Sequence, residues 1–364
     1  MEISFKDLCD SLQWDDRFYN PTKLLTMKDR EYEDPEIFFA VSNRGPGKTY
    51  GFSWLLLEYF RRTGRKFALL CRTQTDLGVY ANGVLTAALT DKFPKVTIKE
   101  VVSKTSKFSE IHWCNNDEDK TEEICGYVLA INAAYGLKNY ANLFNDVDVM
   151  FLDEFQGDKY VSNELDKFAN LHDTVARGGG KAVRYVPVIL ASNSITIENP
   201  YFREFGISSK IQSNTHFYRG TGLVLERFHN KYAADEREKS AFNRALKNNE
   251  MVRSSIDNTW LNDSYACICK PTEEWGGHMY MATLMDGKYK YGVRWYPNTG
   301  YYFISPSVDS GNKNIWNISV DGVENVPMIR GGVLFATLRS KFQSGQLMFS
   351  NLSVKNRIVE VIYK

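Results

Sequence analysis

Short apolar runs alternate with amphipathic segments through the first 205 residues of the chain. Four of these runs have the length of buried strands: residues 37–41, 66–72, 148–152 and 186–191. Three helical patterns lie between them: residues 50–62, a stretch within 76–93, and residues 164–175. Because strands that alternate with helices form parallel sheets with crossover helices, the pattern predicts an α/β domain over residues 1–208.

The pattern changes twice beyond about Phe205. Residues 223–249 are charged with little apolar face, and they predict a helical linker or lid over residues 209–262. From about Tyr265, short alternating strands with glycine and asparagine turns follow. They predict a smaller C-terminal α+β domain over residues 263–364.

Composition narrows the class of protein without indicating a function. Of the 364 residues, 43% are hydrophobic and 24% charged, which is ordinary for a globular chain. The first residues are too polar for a signal peptide and no apolar run approaches transmembrane length, so we expect no membrane association. The net charge of +1 excludes a generally basic nucleic-acid-binding protein but leaves DNA binding open. Six cysteines lack paired zinc spacing, so we expect reduced thiols in a cytoplasm.

A glycine-rich turn with a lysine-threonine pair, SNRGPGKT at residues 42–49, follows the first apolar run. It approximates the pattern G-x-x-x-x-G-K-[ST], in which backbone N–H groups at a helix N-terminus surround the phosphates of ATP. Gly47 and Lys48 fit this pattern, with the Lys48 ammonium at the β and γ phosphates. Thr49 supplies the hydroxyl that binds Mg²⁺.

Other positions of this turn modify the match. Gly45 gives the backbone freedom to pass close to phosphate. Ser42 stands in place of the first glycine, and Pro46 removes one N–H donor. Arg44 has three interpretations, which are contact with phosphate, contact with a neighbouring subunit, or exposure to solvent. A plain glycine turn before a helix is the alternative for the whole motif.

An acidic pair, Asp153 and Glu154, ends the apolar run VMFL. In open α/β sheets ligands bind at the carboxyl ends of the strands, where both carboxylates are expected. Asp153 would hold Mg²⁺, and Glu154 would orient or deprotonate the attacking water. The second carboxylate favours hydrolysis over transfer to another substrate. Two solvated acids at a strand end are the alternative.

Five further residues are candidates for the same site. Asn193 ends the run VILASN, where an amide would sense the γ-phosphate; a helix cap or turn is equally compatible. Arg177 opens the loop RGGGK and is a candidate for a neighbouring subunit's site, with an exposed loop arginine as the alternative. Lys138 is a second candidate for that interface. Tyr19 and Asn20 are candidates for the adenine pocket.

In order and spacing, these motifs resemble the DNA-packaging motor ATPases of phi29-like tailed phages. The matching segments are FYNP at residues 18–21, RGPGKT at 44–49, DEF at 153–155, DTVAR at 173–177, and SN followed by NPYF at 199–202. They span the first 205 residues. The resemblance implies a P-loop ATPase fold of the ASCE class with a central, mainly parallel sheet.

The resemblance also implies partners and roles. Such proteins form a homomeric ring, expected to be a pentamer, on the portal vertex of an empty prohead in the host cytoplasm. They hydrolyse ATP with Mg²⁺ and drive double-stranded viral DNA into the prohead, and in this branch the ring can dock through a packaging RNA. Arg177 aligns with the family's trans-acting arginine finger, and Lys138 falls near a second basic residue of the interface. Ser42 departs from the family's first glycine.

For the C-terminal domain the resemblance implies an RNase H-like nuclease fold that has lost its activity. Eight carboxylates follow residue 262, against eleven lysines and arginines interleaved with aromatic residues. Metal-dependent cleavage needs several converging carboxylates, and Asp309 is the one position that suits it. We therefore expect a domain that faces nucleic acid or the portal, with an ordinary β core as the alternative.

Two segments of the first domain are candidate elements of a central pore. Residues 107–114 and 122–131 predict a hairpin whose tip, residues 115–122, is charged. The other segment is the loop after Arg72. The acidic character of the hairpin tip argues against strong phosphate binding there.

The leading hypothesis is an ATP-driven translocase of double-stranded viral DNA. The first alternative is a terminase with a working nuclease, or a helicase-like ATPase on single strands. The second belongs to another class, a nucleotide-binding assembly switch that barely turns over.

Overall fold

The computed structural model describes residues 3–115, 121–157, 160–177, 183–208, 210–212, 214–258, 260, 265–287, 289–318, 326–328 and 332–363, with backbone alone at 250 and 251. The chain divides into two compact units, Met1–Leu261 and Asn262–Lys364. The second unit begins one residue before the start of the predicted C-terminal domain. The tip of the predicted hairpin, at residues 116–120, lies outside the described residues.

The strands of the first unit form one sheet. They are β1 (Ile37–Ser42), β2 (Lys66–Cys71), β3 (Val96–Val102), β4 (Phe108–Asn115), β5 (Glu122–Ala130), β6 (Val147–Asp153), β7 (Val188–Asn193), β8 (Phe217–Gly220) and β9 (Leu223–Phe228). The helices of this unit are α1 (Phe5–Ser11), α2 (Thr22–Leu25), α3 (Lys48–Thr63), α4 (Tyr80–Lys92), α5 (Ala134–Leu137), α6 (Glu164–Ala176), α7 (Pro200–Glu204), α8 (Lys231–Lys239), α9 (Ala241–Ala245) and α10 (Glu250–Asp257).

The strand order is β3-β4-β5-β2-β6-β7-β1-β9-β8, with parallel pairing from β5 through β9 and antiparallel pairing at both edges. The predicted mainly parallel α/β sheet is confirmed, and its four predicted apolar runs are the adjacent strands β2, β6, β7 and β1. Side chains alternate between two cores. Phe38 and Ala40 pack on one face of the sheet, whereas Phe39 and Val41 pack on the other. Burial on both faces explains why these strands are continuously apolar.

The helical linker predicted over residues 209–262 is partly wrong. Residues 217–228 form the hairpin β8–β9, and β9 joins the sheet parallel to β1, with Leu223 opposite Ile37. Two charged residues, Glu226 and Arg227, conceal this strand in the sequence, yet both are buried. Glu226 accepts a hydrogen bond of 2.9 Å from the Tyr19 hydroxyl, and Arg227 donates to the backbone carbonyl of Asn258. Helix therefore begins only at α8.

The second unit is a smaller α+β domain, as predicted. Its strands are β10 (Met279–Asp286), β11 (Tyr289–Tyr296), β12 (Tyr301–Ser305), β13 (Ile315–Asn317) and β14 (Leu347–Phe349), and its helices are α11 (Val333–Gln343) and α12 (Leu352–Tyr363). Strands β10, β11 and β12 form an antiparallel meander, and β13 and β14 lie parallel to β10 and β12 at the two edges. An RNase H-like identity for this domain stays a prediction.

Of the five aromatic residues that suggested a surface facing nucleic acid, Trp295, Tyr301 and Trp316 are only partly buried against the β core of this unit. A domain that faces nucleic acid or the portal therefore stays a prediction. Tyr296 and Tyr302 are buried, and Trp275 packs edge-on against Tyr296 with 5.0 Å between ring centroids. Asp286, at the end of β10, accepts hydrogen bonds of 2.5 and 2.6 Å from the Arg357 guanidinium. Separately, none of the helices in the described ranges combines the length and apolar character that crossing a bilayer requires.

Candidate nucleotide-binding site

The turn between β1 and α3 has the conformation of a phosphate-binding loop. Gly45 and Gly47 have φ values of +91° and +82°, a region that side chains disfavour. A Cβ atom on Gly47 would also lie 3.3 Å from the Phe18 ring. Helix α3 begins directly after Gly47, at Lys48. The first N–H groups of α3 have no partner within the helix, so they are available to an anion at this end.

Lys48 is held inside this turn. Its side chain is 6% exposed, and Nζ donates to Ser42 Oγ at 2.5 Å. The Asn43 carbonyl oxygen and Asn193 Oδ1 each lie 3.5 Å from the same Nζ. The serine that replaces the first glycine of the motif thus orients the lysine. Burial lowers the pKa of Lys48 to about 8, and the carboxylates of Asp153 and Glu154 offset part of that lowering.

Thr49 and Asp153 meet at the end of β6, with 2.7 Å between Thr49 Oγ1 and Asp153 Oδ2. Asp153 is half-buried, and burial raises the pKa of its carboxyl while the hydrogen bond from Thr49 opposes the rise. A hydroxyl and a carboxylate oxygen side by side are hard ligands. Together with phosphate oxygens and water they fit Mg²⁺, which seldom takes more than two carboxylates from a protein.

Glu154 follows directly, with an exposed side chain and a strained backbone. Its φ of +53° is uncommon for a residue with a side chain, and such strain concentrates at functional sites. Arg72, at the end of β2, donates to the carbonyl oxygens of Glu154 and Phe155 at 3.1 and 2.6 Å. The same guanidinium reaches Glu164 Oε1 at 3.2 Å. This buried carboxylate at the start of α6 also accepts from the Tyr201 hydroxyl at 2.8 Å.

Asn193 also lies where the sequence places it. It ends β7 and is paired in register with Ser42 at the end of β1. Its amide oxygen lies 3.5 Å from Lys48 Nζ. Lysine and threonine from the start of α3 therefore converge with aspartate and asparagine from the ends of β6 and β7, where the parallel strands have their carboxyl ends.

Tyr19 is not placed to stack on adenine, which corrects that part of the prediction, whereas a role for Asn20 in the adenine pocket stays a prediction. Tyr19 is 4% exposed, and its ring stacks on Phe228 with 4.4 Å between centroids. Asn20 Oδ1 accepts from the backbone N–H of Thr22 at 2.9 Å and so supports the start of α2. The accessible ring of this segment is Phe18, which is 39% exposed beside the phosphate loop.

Arg44 and Lys138 are both exposed on the surface of the first unit. The backbone N–H of Arg44 donates to the carbonyl oxygen of Ser255 on α10 at 3.2 Å. The turn is therefore attached to the linker helices through its backbone, while the Arg44 side chain faces solvent.

Arg177 lies away from the turn of its own chain. It follows the last residue of α6, is 57% exposed, and donates to Asp173 Oδ2 at 2.5 Å. Helix α6 has 13 residues, which places Arg177 about 20 Å along the axis from Glu164. The Arg184 guanidinium donates one hydrogen bond to the Val175 carbonyl oxygen, at this end of the helix. It donates another to the Val147 carbonyl oxygen at the start of β6. Arg177 thus lies near the amino-terminal ends of the parallel strands, whereas Lys48 lies near their carboxyl ends.

The pKa of Lys48 gives a testable pH dependence. In the free protein Lys48 loses its proton as the pH rises through about 8, whereas bound phosphates favour the charged form. Binding above that pH therefore takes up a proton, and the dissociation constant for ATP is expected to rise roughly tenfold per pH unit. Titration calorimetry on either side of the transition measures both the affinity and the proton uptake. An affinity that stays constant through this range would contradict the assignment.

The turn, the strand order and the acidic strand end together define a P-loop ATPase fold. Residues 14–364 match the family described as Podovirus DNA encapsidation protein (Gp16), and the chain belongs to this family. It is 25% identical over 355 residues to the DNA packaging protein of Bacillus phage PZA, which covers 95% of this chain and 97% of the relative. The DNA packaging protein of Bacillus phage phi29 matches with the same identity and coverage.

A chain of the bacteriophage phi29 viral genome packaging motor assembly has a similar fold. The TM-score is 0.65 and the identity 22%, with 95% of this chain and 98% of that chain covered. The likeness therefore extends over both units and shows a shared fold. The family resemblance inferred from the motifs is confirmed.

Proposed function

We propose that the chain is the ATP-hydrolysing subunit of a motor that moves double-stranded viral DNA into a prohead. The observation that carries the proposal is the convergence of Lys48, Thr49, Asp153 and Asn193 at one sheet edge, with Glu154 beside them. Membership of the encapsidation family, whose relatives in phages PZA and phi29 are DNA packaging proteins, supplies the substrate class.

The residues of the turn would bind and orient ATP. Backbone N–H groups at the start of α3 and the Lys48 ammonium bind the β and γ phosphates. Thr49 and Asp153 would hold Mg²⁺, which offsets negative charge on those phosphates when bound. The Asn193 amide, already beside Lys48, lies where it can contact the γ-phosphate.

Glu154 would act on the attacking water. Its carboxylate accepts a proton as the water oxygen forms a bond to the γ-phosphorus. The bond from that phosphorus to the β,γ-bridging oxygen breaks, and ADP leaves with the electron pair. The Arg72 contacts hold the backbone of this turn and so fix the position from which the Glu154 side chain extends.

The distance between Arg177 and its own turn supports a ring in which each site is completed by the next subunit. An arginine at the amino-terminal ends of the strands is remote from its own nucleotide, so it can offset transition-state charge only at another subunit's nucleotide. Lys138, exposed on the same unit, would belong to that interface. The ring would be pentameric and sit on the portal of the prohead in the host cytoplasm, directly or through a packaging RNA.

The geometry favours this proposal over both alternatives. A working nuclease needs several carboxylates that converge on metal ions, but Asp286 at the end of β10 is engaged by Arg357, and the described residues hold no group of three or more potential metal ligands. A switch with little turnover would not need the strained Glu154 turn and its arginine support.

ATP hydrolysis by the purified chain, measured with and without double-stranded DNA and cognate proheads, tests the proposal. We expect hydrolysis to rise when DNA and proheads are present together, and DNA to become protected from nuclease inside the prohead. Hydrolysis that is indifferent to both, or stimulated by single strands alone, would favour a helicase-like enzyme. Cleavage of plasmid DNA, lost in Asp309→Ala, would favour the terminase.

A further inference from the structure

Helix α8 of the linker lies against the phosphate loop. Its N-cap residue, Asn230, exchanges two hydrogen bonds with Asn43 of the loop, at 3.1 Å from Asn230 N to Asn43 Oδ1 and 3.2 Å from Asn43 Nδ2 to the Asn230 carbonyl oxygen. One turn further on, the Ala233 Cβ lies 3.8 Å from where a Cβ on Gly45 would be. The Cδ of Arg237 lies 4.0 Å from the same point. Arg237 is therefore the residue whose charged end extends from α8 beside the loop.

The guanidinium of Arg237 is poorly satisfied where it lies. Nη2 makes a long hydrogen bond of 3.4 Å to Ser255 Oγ on α10. Nε is buried and, among the residues that the structure describes, finds no hydrogen-bond partner. The neighbouring acids Asp235, Glu236 and Glu238 are exposed, and Glu236 pairs with Lys239 rather than with Arg237. A half-buried guanidinium with an unused donor is suited to an anion that arrives later.

The loop beside it lacks a donor. Pro46 has no N–H, so one of the backbone groups that a glycine-rich turn offers to phosphate is missing next to Gly45. Arginine has several N–H groups in a planar fork that matches phosphate oxygens. The guanidinium thus supplies donors on the side of the turn where the backbone supplies fewer.

We propose that Arg237 is a nucleotide-binding residue, which contacts the phosphates of ATP from the linker side of the same subunit. This inference rests on the proposed function, because it assumes that the turn binds ATP. It adds a consequence, which is that bound ATP strengthens the attachment of α8 and α10 to the loop that they already contact. In chain order these helices lead to the second unit, so the nucleotide would act on the segment that joins the two units.

Affinity for ATP, measured on the full chain with a fluorescent ATP analogue, tests this residue. Arg237→Ala is expected to weaken binding about tenfold to a hundredfold, the effect of losing a charged hydrogen bond. Arg237→Lys keeps the charge but not the fork and should lie between Arg237→Ala and the wild type. Lys239→Ala, two residues away on α8 and engaged on the surface by Glu236, is the matched control and should bind as the wild type does.

Hydrogen exchange gives a second readout that does not depend on the measured affinity. In the wild type, ATP should slow exchange in residues 231–257, and Arg237→Ala should lose this protection. Unchanged ATP affinity in both Arg237 variants, or no protection of this segment in the wild type, would overturn the inference. If the wild type itself fails to bind ATP, the proposed function fails instead, so the two failures are distinguishable.

Discussion

Replacing Glu154 with glutamine is expected to lower ATP turnover by about 10²–10⁴-fold, the range that a general base contributes. ATP should still bind with nearly unchanged affinity, because Lys48 and Thr49 remain. Glutamine has almost the same size and keeps the left-handed backbone that Arg72 supports, but its amide does not accept the proton of the attacking water. Phosphate release under saturating ATP measures the turnover, and equilibrium binding measures the affinity.

Glu123→Gln is the matched control for this change. Glu123 is an exposed residue near the start of β5, so it lies at the opposite end of the parallel strands from Glu154. Its replacement by glutamine should leave the turnover unchanged. A Glu154→Gln variant that hydrolyses ATP at the wild-type rate would exclude Glu154 as the base. A wild type that binds ATP without measurable turnover would instead support the assembly switch.

The central sheet could be predicted because its strands satisfy one simple rule. Strands buried on both faces must be apolar at every position, and β1, β2, β6 and β7 are short runs of this kind. The polar residue that ends such a run lies at the sheet edge where ligands bind. The placement of Lys48, Asp153 and Asn193 therefore followed from chain order and strand direction alone.

Where the prediction was wrong, charged or aromatic side chains have partners that are distant in sequence. Glu226 and Arg227 suggested an exposed helix, but both are buried within β9. The Tyr19 hydroxyl is the hydrogen-bond partner of Glu226, and the Asn258 carbonyl oxygen is that of Arg227. Tyr19 suggested a base-stacking ring, but the same contact draws it into the core. No local pattern reveals contacts between residues that are 31 or 207 positions apart.

The supporting arginines were missed for a related reason. Arg72 and Arg237 are unremarkable in the sequence, and their roles come from what lies beside them in the fold. Arg72 meets two carbonyl oxygens of the Glu154 turn, and Arg237 meets the phosphate loop because Asn43 and Asn230 hold α8 there. A motif search finds the groups that touch the phosphates, whereas groups that hold or cover them need the tertiary structure.

One helix connects the two catalytic candidates that a ring would place in different sites. Glu164 at the start of α6 binds Arg72, which holds the Glu154 turn, and Arg177 follows the end of the same helix. If Arg177 serves the neighbouring site as proposed, α6 joins that arginine to the Glu154 turn of its own subunit and can couple the two sites. This link requires that Arg177 act in trans, which can be measured directly.

Arg177→Ala is expected to lower the DNA-stimulated ATPase of the assembled ring by roughly 10³–10⁵-fold, as loss of an arginine finger does. Mixing this variant with the Glu154→Gln variant, which is also impaired, should then restore activity. In the mixed ring, a subunit that lacks the arginine but keeps Glu154 can receive Arg177 from a Glu154→Gln neighbour. Random assembly of equal amounts gives such pairs at about a quarter of the interfaces, so recovery to about that fraction of the wild-type rate is expected.

The control mixture combines Glu154→Gln with Lys48→Ala. Both changes affect the part of the site that a single subunit supplies, so no arrangement of these two variants produces a complete site and no recovery should occur. If the Arg177→Ala mixture also fails to recover, while the subunits are shown to exchange into common rings, then Arg177 does not act on a neighbour. The 20 Å or so of helix between it and its own nucleotide would then leave it with no role in hydrolysis.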